Sequence, residues 1–208
     1  MAITNYGTLK TEIADFLDRT DLTSIIPSFI TSAHNKLNRD LRVREMISRA
    51  TATLDTEYSA FPADFLQVRD IRINTDPVQT LSMITPEQQN QERQTHGNSS
   101  GRPKYFTIMG STWQVFPTPD TNTYTAEMAY YAKIPVLSSD SDTNWLLTKA
   151  PEVYLYGALV HAEPYLKNDE KVLIWQTFYK DAYQSLERED EKVKYSGSTP
   201  RVKIRSFG

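Results

Sequence analysis

Apolar residues in this chain recur every three or four positions near both ends but follow no such spacing in the middle, and that change of period constrains the fold most. A stripe repeating at three and four belongs to a helix with one buried side, whereas β-branched and aromatic runs with alternation belong to strands. Near the N-terminus, Leu9, Ile13, Phe16 and Leu17 make one stripe, with Thr8 as the expected cap. Ile26, Phe29, Ile30, Ala33, Leu37 and Leu41 make a second. Pro27 can sit in that helix only in its first turn, so the start is expected near Ser24 to Ile26. A third run begins at Pro151 and passes through Leu155, Ala158, Leu159, Ala162 and Leu166, with Pro164 expected to kink or shorten it. The fourth follows Asn168-Asp169 and carries Val172, Trp175, Tyr179, Ala182 and Leu186. Past Leu186 the charged run Glu187 to Lys192 predicts a helix end projecting into solvent or onto a neighbour.

Residues 46 to 136 read as β-rich. Thr51 to Leu54, Phe65 to Ile73 and Tyr124 to Tyr131 favour strands. Tyr105 to Ile108 should turn at Gly110-Ser111 into Trp113 to Phe116, since glycine first in a two-residue loop suits a type II′ turn. Thr85-Pro86-Glu87 to Arg93 predicts a short helix and His96 to Arg102 a loop. The expected class is α+β: a helical bundle from the N-terminal and C-terminal helices (about 8–45 and 150–194) with a β-rich insert (about 46–136). Residues 1–194 then form one body and 195–208 an extended arm.

Composition removes several function classes. A chain of 208 residues should bury about 70% of its unfolded surface without staples. It has no Cys, which excludes disulfides, thiolate metal sites and a cysteine nucleophile. No apolar run approaches the roughly 18 residues of a membrane span, and MAITNYGTLK lacks a signal-peptide layout, so a soluble, unsecreted protein without a membrane partner is expected. The histidines His34, His96 and His161 are far apart and match no ligand spacing, and no GxSxG, Walker or GxGxxG motif occurs. No cofactor and no metal are expected. Two carboxylates would suffice for a glycosidase, but Glu152 and Glu163 read as ordinary solvated helix residues, and no catalytic role is assigned.

Charge is informative once split by position. The net value is -3, from 23 basic and 26 acidic residues. The stretch from Tyr195 holds Arg201, Lys203 and Arg205 with no acid, so the arm is +3 and the remainder -6. Within it Arg201, Val202, Lys203, Ile204 and Arg205 alternate with period two, as a segment that orders on a partner's sheet edge would. A frayed terminus is the plain alternative. A second basic stretch, Lys36, Arg39, Arg42, Arg44 and Arg49 against Asp40 and Glu45, is locally +3. It suits a helix C-terminus in solvent, or a channel or interface touching phosphate non-specifically. The 12 Tyr, 8 Phe and 3 Trp fit a core or a buried interface equally well.

Arg39 to Met46 with Arg49-Ala50-Thr51, Phe61 to Leu66, Tyr130 to Pro135, Thr143 to Leu147, Tyr154 to Leu159 and Ala162 to Leu166 form a set of motifs. Together they resemble the adaptor proteins of short-tailed phages, the head-to-tail connectors beneath the portal. The motifs occur in the same order over nearly the full length, and Pro77 to Gly101 matches least. The resemblance implies a structural ring, commonly dodecameric, docked on the portal protein and receiving tail or nozzle proteins, with DNA leaving through it. It also implies residence in the virion at the head–tail interface, assembly in the host cytoplasm, and a C-terminal arm that reaches the portal. Fourteen extended residues span about 46 to 50 Å, enough to reach a neighbouring ring. A body of -6 per copy repels its neighbours, which favours assembly on the portal template. Two other readings stay open: a peptidoglycan-hydrolysing tail accessory protein, for which no motif can be carried over, and a DNA-contacting module built on Arg39, Arg42 and Arg44.

Overall fold

Asn5, rather than Thr8, caps the first helix, α1 (Tyr6–Leu17), in the computed structural model, which describes residues 2–97, 100–120, 124–167 and 169–195. Thr8 N–H donates to the Asn5 side chain at 2.9 Å while the Thr8 hydroxyl accepts from Asn5 N–H at 3.0 Å. Thr8 is therefore the third helical residue of a capping box, in the place where a glutamate or glutamine is more usual. Tyr6 and Gly7 N–H donate to the carbonyls of Asp142 and Asp140, so the remaining orphan donors are satisfied too.

The other elements follow in chain order as α2 (Ile26–Asp40), a 3-10 turn (Arg44–Met46), β1 (Ile47–Leu54), β2 (Tyr58–Ala60), β3 (Phe65–Ile73), β4 (Gln79–Thr80), β5 (Ser82–Met83) and α3 (Pro86–His96). Then come β6 (Tyr105–Met109), β7 (Thr112–Phe116), β8 (Tyr124–Ala132), α4 (Trp145–Lys149), α5 (Pro151–Tyr165) and α6 (Asp169–Tyr195). With six α-helices and two sheets among the described residues, the class is α+β. The chain divides into two compact units: a helical one from residues before Glu45 and after Lys133, and a β unit of Glu45–Lys133.

In the helical unit α5 is central, touching α1, α2, α4 and α6. Pro27 occupies the first turn of α2 and Pro151 opens α5, as their spacing predicts. Pro164 lies in the last turn of α5, which ends one residue later. The core is built from Leu9 and Ile13 of α1, Phe29, Ile30 and Leu37 of α2, and Val153, Tyr154 and Leu159 of α5, all buried. Gly157 sets the spacing of three helices: a Cβ there would lie 3.1 Å from Ala33 Cβ and 3.2 Å from Tyr179 Cε2. One position departs from the predicted stripe. Phe16 is 42% exposed, because the buried side of α1 runs through Tyr6, Leu9 and Ile13.

The β unit is a sandwich. One sheet has the order β1-β8-β3-β4, with β8 antiparallel to both β1 and β3, and the other has the order β2-β7-β6-β5. Leu54, Ile71, Ile73, Ala126, Met128 and Tyr130 of the first pack against Phe106, Trp113 and Val115 of the second. The predicted hairpin pairs Met109 with Thr112 across Gly110, which takes φ +60° while Ser111 does not, as a type II′ turn requires. On the far side of β6, α3 is opened by a Thr85–Gln88 capping box, and its Arg93 pairs with Glu57 and lies 5.9 Å over the Phe116 ring.

Candidate functional site

Basic side chains between residues 36 and 49 fall on two different units. Lys36, Arg39, Arg42 and Arg44 belong to the helical unit, and Arg49 stands on β1 in the β unit. Arg42 closes α2, donating from Nη1 to the carbonyls of Asn38 (3.0 Å) and Leu41 (2.6 Å), where a cation meets the negative helix end. Lys36 Nζ sits 5.4 Å over the Tyr179 ring. Arg39 is exposed. Arg49 lies 3.7 Å from Glu127, which also accepts from Arg72 at 2.5 Å. Together with Arg69 and Asp70 these residues line an open depression of about 470 Å³.

Arg44 leads to a buried charge on the last helix. Its backbone N–H donates to Asp190 Oδ1 at 3.0 Å, and Lys194 Nζ holds Asp190 Oδ2 at 2.5 Å. Asp190 is 2% exposed. Burial pushes its carboxyl up, but the bonds from Lys194 and the Arg44 N–H outweigh it and hold the group below its ordinary value. The charged run Glu187 to Lys192 is expected to project into solvent or onto a neighbour; Glu187, Arg188, Glu189, Glu191 and Lys192 are exposed, whereas Asp190 is anchored within its own unit. A carboxylate with two donors can be buried where a bare one cannot, which is why an apolar stripe was the wrong guide there.

The carboxylates considered for catalysis are placed differently from expectation. Glu163 is 2% exposed and accepts from Trp175 Nε1 at 2.8 Å, so it is not a solvated residue; it joins α5 to α6. Glu152 is half-buried in the first turn of α5. Eleven residues along one helix separate the pair by about 16 Å, beyond the roughly 10 Å at which two carboxylates can share a glycosidic bond. They do not form such a centre.

Another buried polar group joins α2, α4 and α5. His34 Nδ1 is 2.9 Å from the Tyr154 hydroxyl, and Asn144 Nδ2 donates to that oxygen at 3.1 Å. With Asn144 donating to the oxygen, the hydroxyl proton finds an acceptor in the trio only at Nδ1, and that assignment puts the His34 hydrogen on Nε2. Burial pushes the His34 pKa down and that of Tyr154 up to about 12, against the Asn144 bond, so both are neutral near pH 7. The trio can hold three helices in register but offers no group poised to transfer a proton. Among the described residues no cluster of three or more His, Asp or Glu could hold a metal ion, and no helix is long and apolar enough to cross a membrane.

The arm residues Arg201, Val202, Lys203, Ile204 and Arg205 lie outside the described residues. What sequence reasoning missed is an aromatic surface on the helical unit. Phe16 and Trp175 have ring centroids 5.9 Å apart, Tyr156 and Phe178 5.4 Å, and Trp175 and Phe178 6.0 Å. Ile174, one turn before Phe178 on α6, stands beside them at 51% exposure. A signal was available, since Ile174 and Phe178 are apolar residues of α6 that fall off its buried stripe.

A family model described as SU10 adaptor protein matches residues 4–202. A comparison with curated proteins finds no match.

Proposed function

The chain belongs to the SU10 adaptor protein family, and from that premise we propose that it is a head-to-tail adaptor acting as a structural part and not as an enzyme. Twelve copies form a ring beneath the portal protein, give tail or nozzle proteins a platform, and leave a central passage for DNA. The observation that carries this reading is the family match over residues 4–202, which spans both units. It makes the protein a phage structural component that associates with other parts of the virion. The portal as the particular partner is supported by the +3 arm, whose alternating Val202 and Ile204 suit addition to a sheet edge. Twelve weak arm contacts held in one ring sum through multivalency, so no single arm needs high affinity.

The test is binding of the purified chain to its phage's portal protein, followed by cryo-imaging and by solution mass. A variant lacking residues 195–208 is expected to stay folded and to lose portal binding. Undiminished binding by that variant would sink the role given to the arm.

A further inference from the structure

Three exposed apolar residues of α1 and α6 meet in one place. Phe16 is 42% exposed and Phe178 44%, joined by ring contacts through Trp175 and Tyr156, and Ile174, 51% exposed, lies one turn before Phe178 on the same side of α6. The face is set in advance, because Trp175 is fixed by its bond to the buried Glu163 carboxylate. The three exposed side chains leave on the order of 300 Å² of apolar surface in water, at the lower end of the largest patches on ordinary monomers. That is about a third of the roughly 800 Å² that one side of a stable interface buries, leaving the rest for a polar rim.

The rim decides what can cover it. One helical turn from these residues and Tyr156 stand Glu152, Glu170 and Asp181, against Lys171 and an Arg19 already paired with Asp21. Two such faces meeting about a two-fold axis would set acid against acid, so self-pairing is disfavoured and a basic counterpart is required. The helical unit carries one elsewhere. Lys36 and His161 line the same crevice between α2 and α5, and Arg39 stands exposed one turn further along α2, so two cations face the one acid there, Asp40. Along α5, His161 follows Tyr156 by five residues, about 140° around the helix, so the strip and the aromatic face look in different directions. Complementary surfaces that look in different directions join copies head to tail, and such contacts make a ring when the rotation from copy to copy closes.

We propose that the aromatic face of Phe16, Ile174 and Phe178 receives the Lys36–Arg39 strip of a second copy of this chain, as the repeating contact of the ring. This rests on the adaptor-ring reading above and names the surfaces that build it. The chain has no Cys, so paired substitutions report the contact without background. With portal protein present, the full chain carrying both Ile174→Cys and Arg39→Cys should give a ladder of covalent dimers, trimers and larger species on oxidation. Each single variant should give none. Ile174→Asp should raise the concentration needed for ring formation about tenfold or more, the loss expected of an interface anchor, with its circular dichroism unchanged. A wild-type ring with no ladder from the double variant overturns the assignment of surfaces, as does a covalent dimer from Ile174→Cys alone. A wild-type chain that forms no ring, alone or with portal, overturns the ring reading and this contact with it.

Discussion

The helical unit is closed by segments from both ends of the chain, whereas the β unit uses one uninterrupted stretch, Glu45–Lys133. The difference shows in what sets the register of each. Strands are aligned by their backbone ladders: eight consecutive residues of β1 pair with β8. Helices satisfy their backbones internally, so nothing in the main chain says how one helix sits on another. That task falls to side chains far apart in sequence: His34 with Tyr154, Arg44 with Asp190, and Asn38 Oδ1 with the N–H of Ile134. A single replacement should therefore disturb the helical unit's architecture, while in the β unit its effect should stay local.

The largest expected effect tests that directly. Gly157→Val puts a branched side chain where even a Cβ would stand 3.1 Å from Ala33, and overpacking of this kind costs about 3 kcal/mol. Urea unfolding should show the loss, and hydrogen exchange should rise in α2, α5 and α6 ahead of the strands. A change within about 0.5 kcal/mol, the range of neutral surface substitutions, would break the comparison. Next comes Tyr154→Phe, expected to cost about 2 kcal/mol because it leaves the buried His34 Nδ1 without its donor. Its counterpart in the β unit is Tyr130→Phe. That hydroxyl donates to Asp64, an exposed residue that water can serve instead, so the loss should be under about 1 kcal/mol. Equal losses from the two would remove the distinction.

These positions also mark what could be read in the sequence. Helix starts at Pro27 and Pro151, the hairpin at Gly110 and the strands Phe65–Ile73 and Tyr124–Ala132 are local events, and local chemistry announces them. Gly157, Glu163 and Asp190 could not be recognised in that way. Each owes its role to a partner more than ten residues away: Tyr179, Trp175 and Arg44. The basic stretch shows the same limit. Five positive residues between 36 and 49 look like one patch on paper, yet a unit boundary falls between Arg44 and Arg49. The phage-adaptor resemblance was legible because it rests on ordered motifs, whereas the aromatic face needed three helices to bring it together.

Acid should act on the helical unit through its histidines. Burial lowers the His34 pKa, and burial with Lys36 and Arg39 lowers that of His161, so the unfolded chain takes up these protons first, near pH 6.5. Stability should fall as pH drops below about 6.5, by at most about 1.4 kcal/mol per pH unit for each group. The stabilisation from Asp190 has the opposite charge logic but the same direction. It is present above the ordinary Asp pKa and lost only as pH falls through its depressed native value, so it adds a second decline below about pH 4. Urea midpoints at pH 7.5 and 5.5 measure the first window, and His34→Gln, whose amide oxygen can still accept from Tyr154, should flatten it. A midpoint that does not move between those pH values would place both histidines in water rather than in the packed unit.

The smallest effect belongs to the β unit and to its backbone. Gly110 has open space around it, with nothing within 4 Å of an added Cβ, so sterics do not require glycine there as they do at Gly157. Its φ of +60° does, because an L-residue in the left-handed region is strained by about 1 kcal/mol. Gly110→Ala should therefore cost about that much, and Gly110→Asn less, since asparagine tolerates this region better. The loss should be confined to exchange at the β6–β7 turn, because the ladder from Tyr105↔Phe116 to Met109↔Thr112 holds the pairing from both sides. If Gly110→Ala instead raises exchange throughout Glu45–Lys133, that turn sets the register of the whole sandwich. The β unit would then depend on single positions as the helical unit does.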